Sequence, residues 1–82
     1  MEVEIQVPPQ LDEIPGLRHV TVGRWLAAVG ETVLEGASVV ELETDLVILE
    51  LPAPVSGKLT RILKKTGQRV GLSETLAFML PG

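Results

Sequence analysis

The stretch "ELETDLVILELPAPVSG", residues 41–57, decides the fold. It reads as a strand, a tight turn at Thr44-Asp45-Leu46-Val47 and a second strand that ends in Pro52-Ala53-Pro54 and Ser56-Gly57. Val40 and Leu42 fall on one face before the turn, and Val47, Leu49 and Leu51 on one face after it. Side chains alternate sides along a strand, so apolar residues at every second position indicate a half-buried strand.

The same alternation continues in both directions. Val3, Ile5 and Val7 share a face, as do Val20 and Val22, and as do Leu76, Phe78 and Leu80. Pro8-Pro9, Pro15-Gly16, Gly30, Gly36, Gly67 and Gly71 separate these runs, and such residues break regular structure. Trp25-Leu26-Ala27-Ala28-Val29 could form a helical turn, but it is too short to stand alone. Many short strands at close spacing predict an all-β fold, a flattened barrel or sandwich of two antiparallel sheets.

The chain also echoes itself. A shift of 37 residues carries Pro15 onto Pro52, Val22 onto Leu59, Arg24 onto Arg61 and Trp25 onto Ile62. It carries Gly30 onto Gly67, Val33 onto Val70, Val39 onto Leu76 and Leu42 onto Met79. Two half-barrels, roughly residues 1–42 and 43–82, related by an approximate two-fold would produce this pattern. Each half would cover the hydrophobic face that the other leaves open. No linker or low-complexity stretch divides residues 1–82, which are read as a single domain.

Composition excludes several classes. A chain of 82 residues buries only ~60–65% of its unfolded surface. The absence of cysteine removes disulfides, thiolate metal sites and cysteine nucleophiles, and fits a reducing, cytoplasmic setting. The sequence shows no signal-peptide pattern, and its apolar runs fall well short of the ~20 residues of a membrane span. The net charge of −4 argues against nucleic acid, whose phosphates require clustered cations. Lys58, Arg61, Lys64, Lys65 and Arg69 are read as a solvated strand edge. Trp25 and Phe78 alone make no base-stacking platform; Trp25 is expected to anchor the core between the halves, with its ring N–H needing a partner.

No catalytic constellation stands out. Glu41, Glu43, Asp45 and Glu50 could gather beside the turn. An exposed hairpin supplies neither the enclosed pocket that would split carboxylate pKa values nor an oxygen cage for calcium. They form either a solvated acidic face or a surface that steers a basic partner. His19 lacks a nucleophile or metal-ligating companion, and Ser38, Ser56 and Ser73 lie in turns without a nucleophile elbow. The expectation is no active site, no metal and no membrane contact, in an isolated domain that is monomeric.

Taken in order, these segments resemble the lipoyl domain family, the biotinyl/lipoyl carrier fold. The resembling residues are Glu4-Ile5-Gln6-Val7-Pro8, Val22-Gly23-Arg24-Trp25-Leu26, Val29-Gly30-Glu31-Thr32-Val33, Val40-Glu41-Leu42-Glu43-Thr44-Asp45, Leu49 through Gly57, and Gly67-Gln68-Arg69-Val70-Gly71. Within the family the pattern looks most like the acyltransferase subunits of 2-oxo acid dehydrogenase complexes, with the 2-oxoglutarate branch favoured over the acetyl branch. The resemblance implies an acyl-carrying swinging arm and a lipoyl cofactor. It implies as partners a 2-oxo acid decarboxylase, dihydrolipoamide dehydrogenase and a lipoate ligase-type enzyme. It further implies that Glu43, Thr44, Asp45 and Glu50 serve partner recognition, together with Asp12 and Glu13 in the long loop of residues 9–17. The biotinyl branch, with Met-Lys-Met at its turn, is the remoter reading.

One departure matters. Where the family places its attachment lysine, the turn Asp45-Leu46-Val47 presents Leu46. Acylation requires a nucleophilic amine, and leucine has no heteroatom. Lys58, Lys64 and Lys65 stand elsewhere in the chain. The expectation is a carrier domain without lipoyl on this chain. The alternative is a pseudo-carrier that acts only as a protein-interaction module.

Overall fold

The computed structural model describes all 82 residues. Eight strands form: β1 (Val3–Gln6), β2 (Val20–Trp25), β3 (Thr32–Val33), β4 (Ser38–Thr44), β5 (Ile48–Pro52), β6 (Gly57–Ile62), β7 (Arg69–Val70) and β8 (Thr75–Pro81). They make two antiparallel four-stranded sheets in the orders β1-β8-β6-β3 and β5-β4-β2-β7. The expected two-sheet sandwich is therefore present. No helix is long and apolar enough to cross a membrane.

The 37-residue echo is the architecture. It carries β2 onto β6, β3 onto β7 and β4 onto β8, so each sheet is the other with the halves exchanged. The echoed pairs Val22 and Leu59, Leu42 and Met79, Val39 and Leu76 are all fully buried. Each contributes ~1.5–3 kcal/mol of burial, and neither sheet could hide its own apolar face alone. Even the irregularities repeat. The register slips between Val22 and Trp25 against β4, and at the matching place between Leu59 and Arg61 against β8. Gly30 and Gly67 both take positive φ, 93° and 94°. Their N–H groups donate across the halves, to the Leu59 carbonyl at 2.7 Å and the Val22 carbonyl at 2.8 Å. Trp25 is half-buried against the core, and its Nε1–H donates to the Lys64 carbonyl at 2.9 Å, which supplies the partner its ring required.

The symmetry fails at two places. Gly36 (φ 89°) is matched by Ser73 (φ 64°), the one non-glycine residue with positive φ. Both N–H groups make the same bond, to the Ala53 carbonyl at 3.0 Å and the Val7 carbonyl at 2.9 Å. The left-handed region costs a residue with a Cβ roughly 1 kcal/mol or more. Ser73→Gly is therefore expected to raise stability by about 0.5–1 kcal/mol, and Gly36→Ser to lower it by as much, read from denaturant midpoints at unchanged slope. The second failure is longer. Four residues, 53–56, join β5 to β6, whereas residues 7–19 join β1 to β2.

Several expectations need correction. The segment of residues 9–17 is not plain loop: Pro9–Glu13 forms a 3-10 helix, favoured by proline at its start and anchored by buried Leu11. In β8 the inward face is carried by Ala77 and Met79 with Leu76, while Leu80 is exposed and Phe78 is only half-buried. The register slip against β1 lets Leu76 and Ala77 both turn inward, and the Phe78 ring instead lies under the Arg61 guanidinium at 4.6 Å. Val47 does not belong to β5 but sits exposed in the turn. Lys58 does not mark a sheet edge, because β3 pairs with β6 at Gly57 and Lys58; Arg61 lies beyond that pairing, with β8 on one side only.

Candidate functional site at the hairpin apex

The β4–β5 hairpin projects the turn Thr44-Asp45-Leu46-Val47 from one end of a molecule 38 Å long. The opposite end holds the start of β4, the end of β5 and both termini. Ala37 accepts from Ala53 N–H there, Ser56 accepts from Gly82 N–H, and Val3 pairs with Met79. The apex thus points away from the chain ends.

Thr44 builds the turn. Its Oγ1 accepts from the N–H of Leu46 at 3.1 Å and of Val47 at 2.8 Å, and donates to the Val47 carbonyl at 2.7 Å. A short hydroxyl side chain that satisfies turn amides in this way substitutes for ladder bonds where the strands separate. It also explains why Val47 leaves the strand. With the backbone held by Thr44, Leu46 (53% exposed), Val47 (49%) and Ile48 (65%) stand in solvent as a contiguous apolar tip.

Asp45 reaches sideways. Its Oδ1 accepts from the Arg18 N–H at 3.2 Å, joining the apex to the end of the β1–β2 connection. That backbone N–H is the main reason the Asp45 carboxyl sits below the ordinary aspartate value. Slight desolvation opposes it, and the N–H groups of Asp45 and His19 and the His19 charge assist. Because the folded state holds the proton less tightly than the unfolded chain, the bond stabilises the fold above the unfolded pKa. That contribution is lost as pH falls through the lower, folded value. The Arg18 amide resonance is expected to report the Asp45 titration with a midpoint below that of an ordinary aspartate.

The remaining acidic residues disperse. Glu43 flanks the turn, opposite Ile48. Glu41 is bridged to Arg24 at 3.6 Å, and Glu50 turns back to accept from Ser38 Oγ at 2.7 Å, away from the apex. Asp12 lines a cleft of about 190 Å3 with Leu11, Leu17, Arg18, Val20, Val70 and Leu72, beside the apex. Glu13 closes the exposed end of the 3-10 helix. The four carboxylates of residues 41–50 therefore do not converge, and no trio of His, Asp or Glu is placed to hold a metal. His19 has no nucleophile beside it; it flanks the Asp45 tether.

An acyl group attached here would need an amine at the apex, and Leu46 offers hydrocarbon. The lysines are placed elsewhere. Lys58 lies in β6 opposite Leu80 and Thr32, towards the chain ends. Lys64 is bound to Glu74 at 2.8 Å, and Lys65 lies in the turn that closes on β2 through Gly67 and Val22. The residues present do not fit a covalently held lipoyl or biotinyl group. The Asp45–Arg18 bond was beyond the reach of sequence reasoning, since 27 residues separate its partners.

The family model Biotin_lipoyl, described as "Biotin-requiring enzyme", matches residues 3–79. The chain is 39% identical over 82 residues to the dihydrolipoyllysine-residue succinyltransferase component of the 2-oxoglutarate dehydrogenase complex of Bartonella vinsonii subsp. berkhoffii. That match covers 100% of this chain and 19% of the relative. The corresponding component of Bacillus subtilis (strain 168) is 37% identical over 79 residues, 96% of this chain and 18% of the relative. The solution structure of the lipoyl domain of the 2-oxoglutarate dehydrogenase complex from Azotobacter vinelandii superposes with a TM-score of 0.74 at 30% identity, over 98% of this chain and 99% of that one. A single-chain, multi-domain long-chain acyl-CoA carboxylase gives a TM-score of 0.80 at 26% identity, over 99% of this chain and 7% of that one. The chain spans about a fifth of the length of the curated relatives it matches.

Proposed function

The chain belongs to the biotin/lipoyl family as a lipoyl domain, and from that premise we propose that it derives from the acyltransferase component of a 2-oxoglutarate dehydrogenase complex and carries no lipoyl group of its own. The relatives support the parentage, since the same succinyltransferase component recurs among them at 37–39% identity. The observation that carries the second half is the apex: Leu46 stands in solvent at the tip of the hairpin, with no lysine in the turn. The fold itself is a scaffold without an active site, and any acyl chemistry belongs to the parent subunit and its partner enzymes.

The surface around Leu46 supports a companion reading, that of an interaction module. Leu46, Val47 and Ile48 make an uninterrupted apolar tip, flanked by Glu43 and Asp45, with Asp12 and Glu13 on the neighbouring connection. An apolar anchor rimmed by carboxylates suits a partner with an apolar recess bordered by Lys or Arg. The decarboxylase and dihydrolipoamide dehydrogenase components are the partners this reading names.

Intact mass decides the unloaded state. Co-expressed with a lipoate ligase-type enzyme, the chain is expected to keep the mass of its unmodified sequence. A lipoyl increment on this chain would overturn the proposal. The positive arm of that experiment is the Leu46→Lys variant.

A further inference from the structure

We propose that β5 is a self-association edge, onto which a second copy of this chain adds its own β5 antiparallel, so that two four-stranded sheets become one sheet of eight strands. The inference is independent of the parentage and of the carrier reading, and it replaces the monomer expected from the sequence.

Two open sheets leave four edges, β1, β3, β5 and β7. An edge strand exposes unpaired N–H and C=O groups that pair with another chain unless the edge is short or charged. β3 and β7 are two residues long. β1 carries Glu4, with Glu2 just before it. The internal two-fold places Ile48 and Glu50 at the equivalent positions of β5. Val3, Glu4 and Ile5 pair with Met79, Phe78 and Ala77 as Leu49, Glu50 and Leu51 pair with Leu42, Glu41 and Val40. Where the first edge has Glu2, the second thus has Ile48, 65% exposed. Glu50 does not guard the edge, because its carboxylate is drawn back to Ser38 Oγ on β4.

The backbone fixes the register. The Thr44 N–H donates to the Val47 carbonyl at 2.9 Å, which makes theirs a hydrogen-bonded pair. Bonded and non-bonded pairs alternate along an antiparallel ladder, and Glu43–Ile48, Leu42–Leu49 and Glu41–Glu50 follow without a slip. Leu49 therefore points its N–H and C=O at β4, while Ile48 and Glu50 point theirs outward. A two-fold at Leu49 brings Ile48 of each copy opposite Glu50 of the other. Each of these two pairs exchanges two hydrogen bonds, so every outward group of Ile48 and Glu50 is satisfied.

The same register joins two features that the single chain leaves unexplained. Val47 of one copy falls opposite Leu51 of the other, and Leu46 opposite Pro52. Leu51 and Pro52 line a cleft of about 140 Å3 at the seam between β5 and β1, with Ile5, Pro8 and Pro54. The apolar tip of each copy thus lands at the cleft of the other, and one two-fold makes both contacts. Asp45 falls opposite Ala53, so no carboxylate of one β5 run faces a carboxylate of the other. The contact is small, and interfaces below about 1,200 Å2 belong to weak, transient complexes.

Sedimentation equilibrium and amide spectra of the chain, from about 20 μM to about 2 mM, test the proposal. The expected result is a monomer that becomes a dimer as concentration rises, with amide shifts at residues 46–51 and none at β3 or β7. A monomer throughout, species larger than a dimer, or shifts confined to another edge would overturn it. Charge variants then test the register. Ile48→Glu sets two carboxylates at each pair and is expected to weaken the dimer by about tenfold or more, whereas Ile48→Lys sets an amine opposite Glu50 and is expected to stay within about threefold of the parent chain. Val29→Glu makes the same charge change at an exposed residue in the turn before β3, and is expected to leave the dimer as it was. Equal weakening by both Ile48 variants would assign the association to a sticky tip, and an equal loss in Val29→Glu would assign it to net charge; each overturns the proposal. If Ile48→Glu does not fold, Ile48→Lys and the shifts of the parent chain still decide.

Discussion

Gly57→Ala is expected to cost the domain about 3 kcal/mol, the largest loss from adding a Cβ at any of its glycines. A Cβ at Gly57 would stand 2.2 Å from the Leu80 carbonyl oxygen and 2.9 Å from the Leu80 carbonyl carbon and the Pro81 Cα. Those atoms are backbone, so no side chain can swing aside. The strand cannot retreat either, because Gly57 opens β6 between Pro81 of β8 and Val33 of β3. A domain of this size holds roughly 5–10 kcal/mol in total. The change would lower the melting temperature by roughly 12–24 °C. Gly23→Ala is the internal control. Its Cβ would meet the Glu41 carbonyl oxygen at 3.0 Å and two side-chain carbons at 3.2 Å. Contacts at that range ease by a few tenths of an ångström, so a loss of about 1 kcal/mol is expected there. Paired urea melts measure both, and equal losses at the two sites would refute the argument from Leu80.

Leu46→Lys is expected to change the chain from unmodifiable to modifiable in a single step. The substitution should leave the fold alone. Leu46 is 53% exposed, its side chain is not used by the turn, and Thr44 holds only its backbone N–H. A surface change of this kind moves stability by no more than about 0.5 kcal/mol. What it adds is a primary amine at the tip of a preformed hairpin, the group acylation requires. After co-expression with a lipoate ligase-type enzyme, intact mass should show one lipoyl increment, and peptide mapping should place it at residue 46. Co-expression with a biotin ligase tests the other branch of the biotin/lipoyl family. The lipoyl increment without the biotinyl one is the expected outcome. No increment from either enzyme would contradict the carrier reading and leave the interaction module.

Most of the scaffold was legible because sequence and structure repeat together. Gly30 and Gly67 recur at the same spacing and do the same work in both halves, bending with positive φ and donating across the two-fold. The apex was legible for a different reason. Thr44-Asp45 is turn chemistry, and its neighbours alternate on either side. The phase of β8 was not legible, because the register slip beside β1 buries Leu76 and Ala77 in succession and breaks the period of two. The 3-10 helix at Pro9–Glu13 is too short to leave a periodic trace. Glu50 looked like part of the apex from its place in sequence. It bonds instead to Ser38, because strand pairing determines which hydroxyl it meets. The Asp45 tether and the crowding at Gly57 both depend on segments distant in sequence, and no local pattern reports either.

The approximate two-fold gives the chain ends a structural equivalent. β8 stands to β1 as β4 stands to β5, antiparallel and adjacent, with Val3 beside Met79 as Leu49 lies beside Leu42. The two termini are thus the counterpart of the β4–β5 turn, left unjoined. A circular permutant that links Gly82 to Met1 and opens between Asp45 and Leu46 would wind through the same eight strands in an equivalent order, with its new ends where the turn had been.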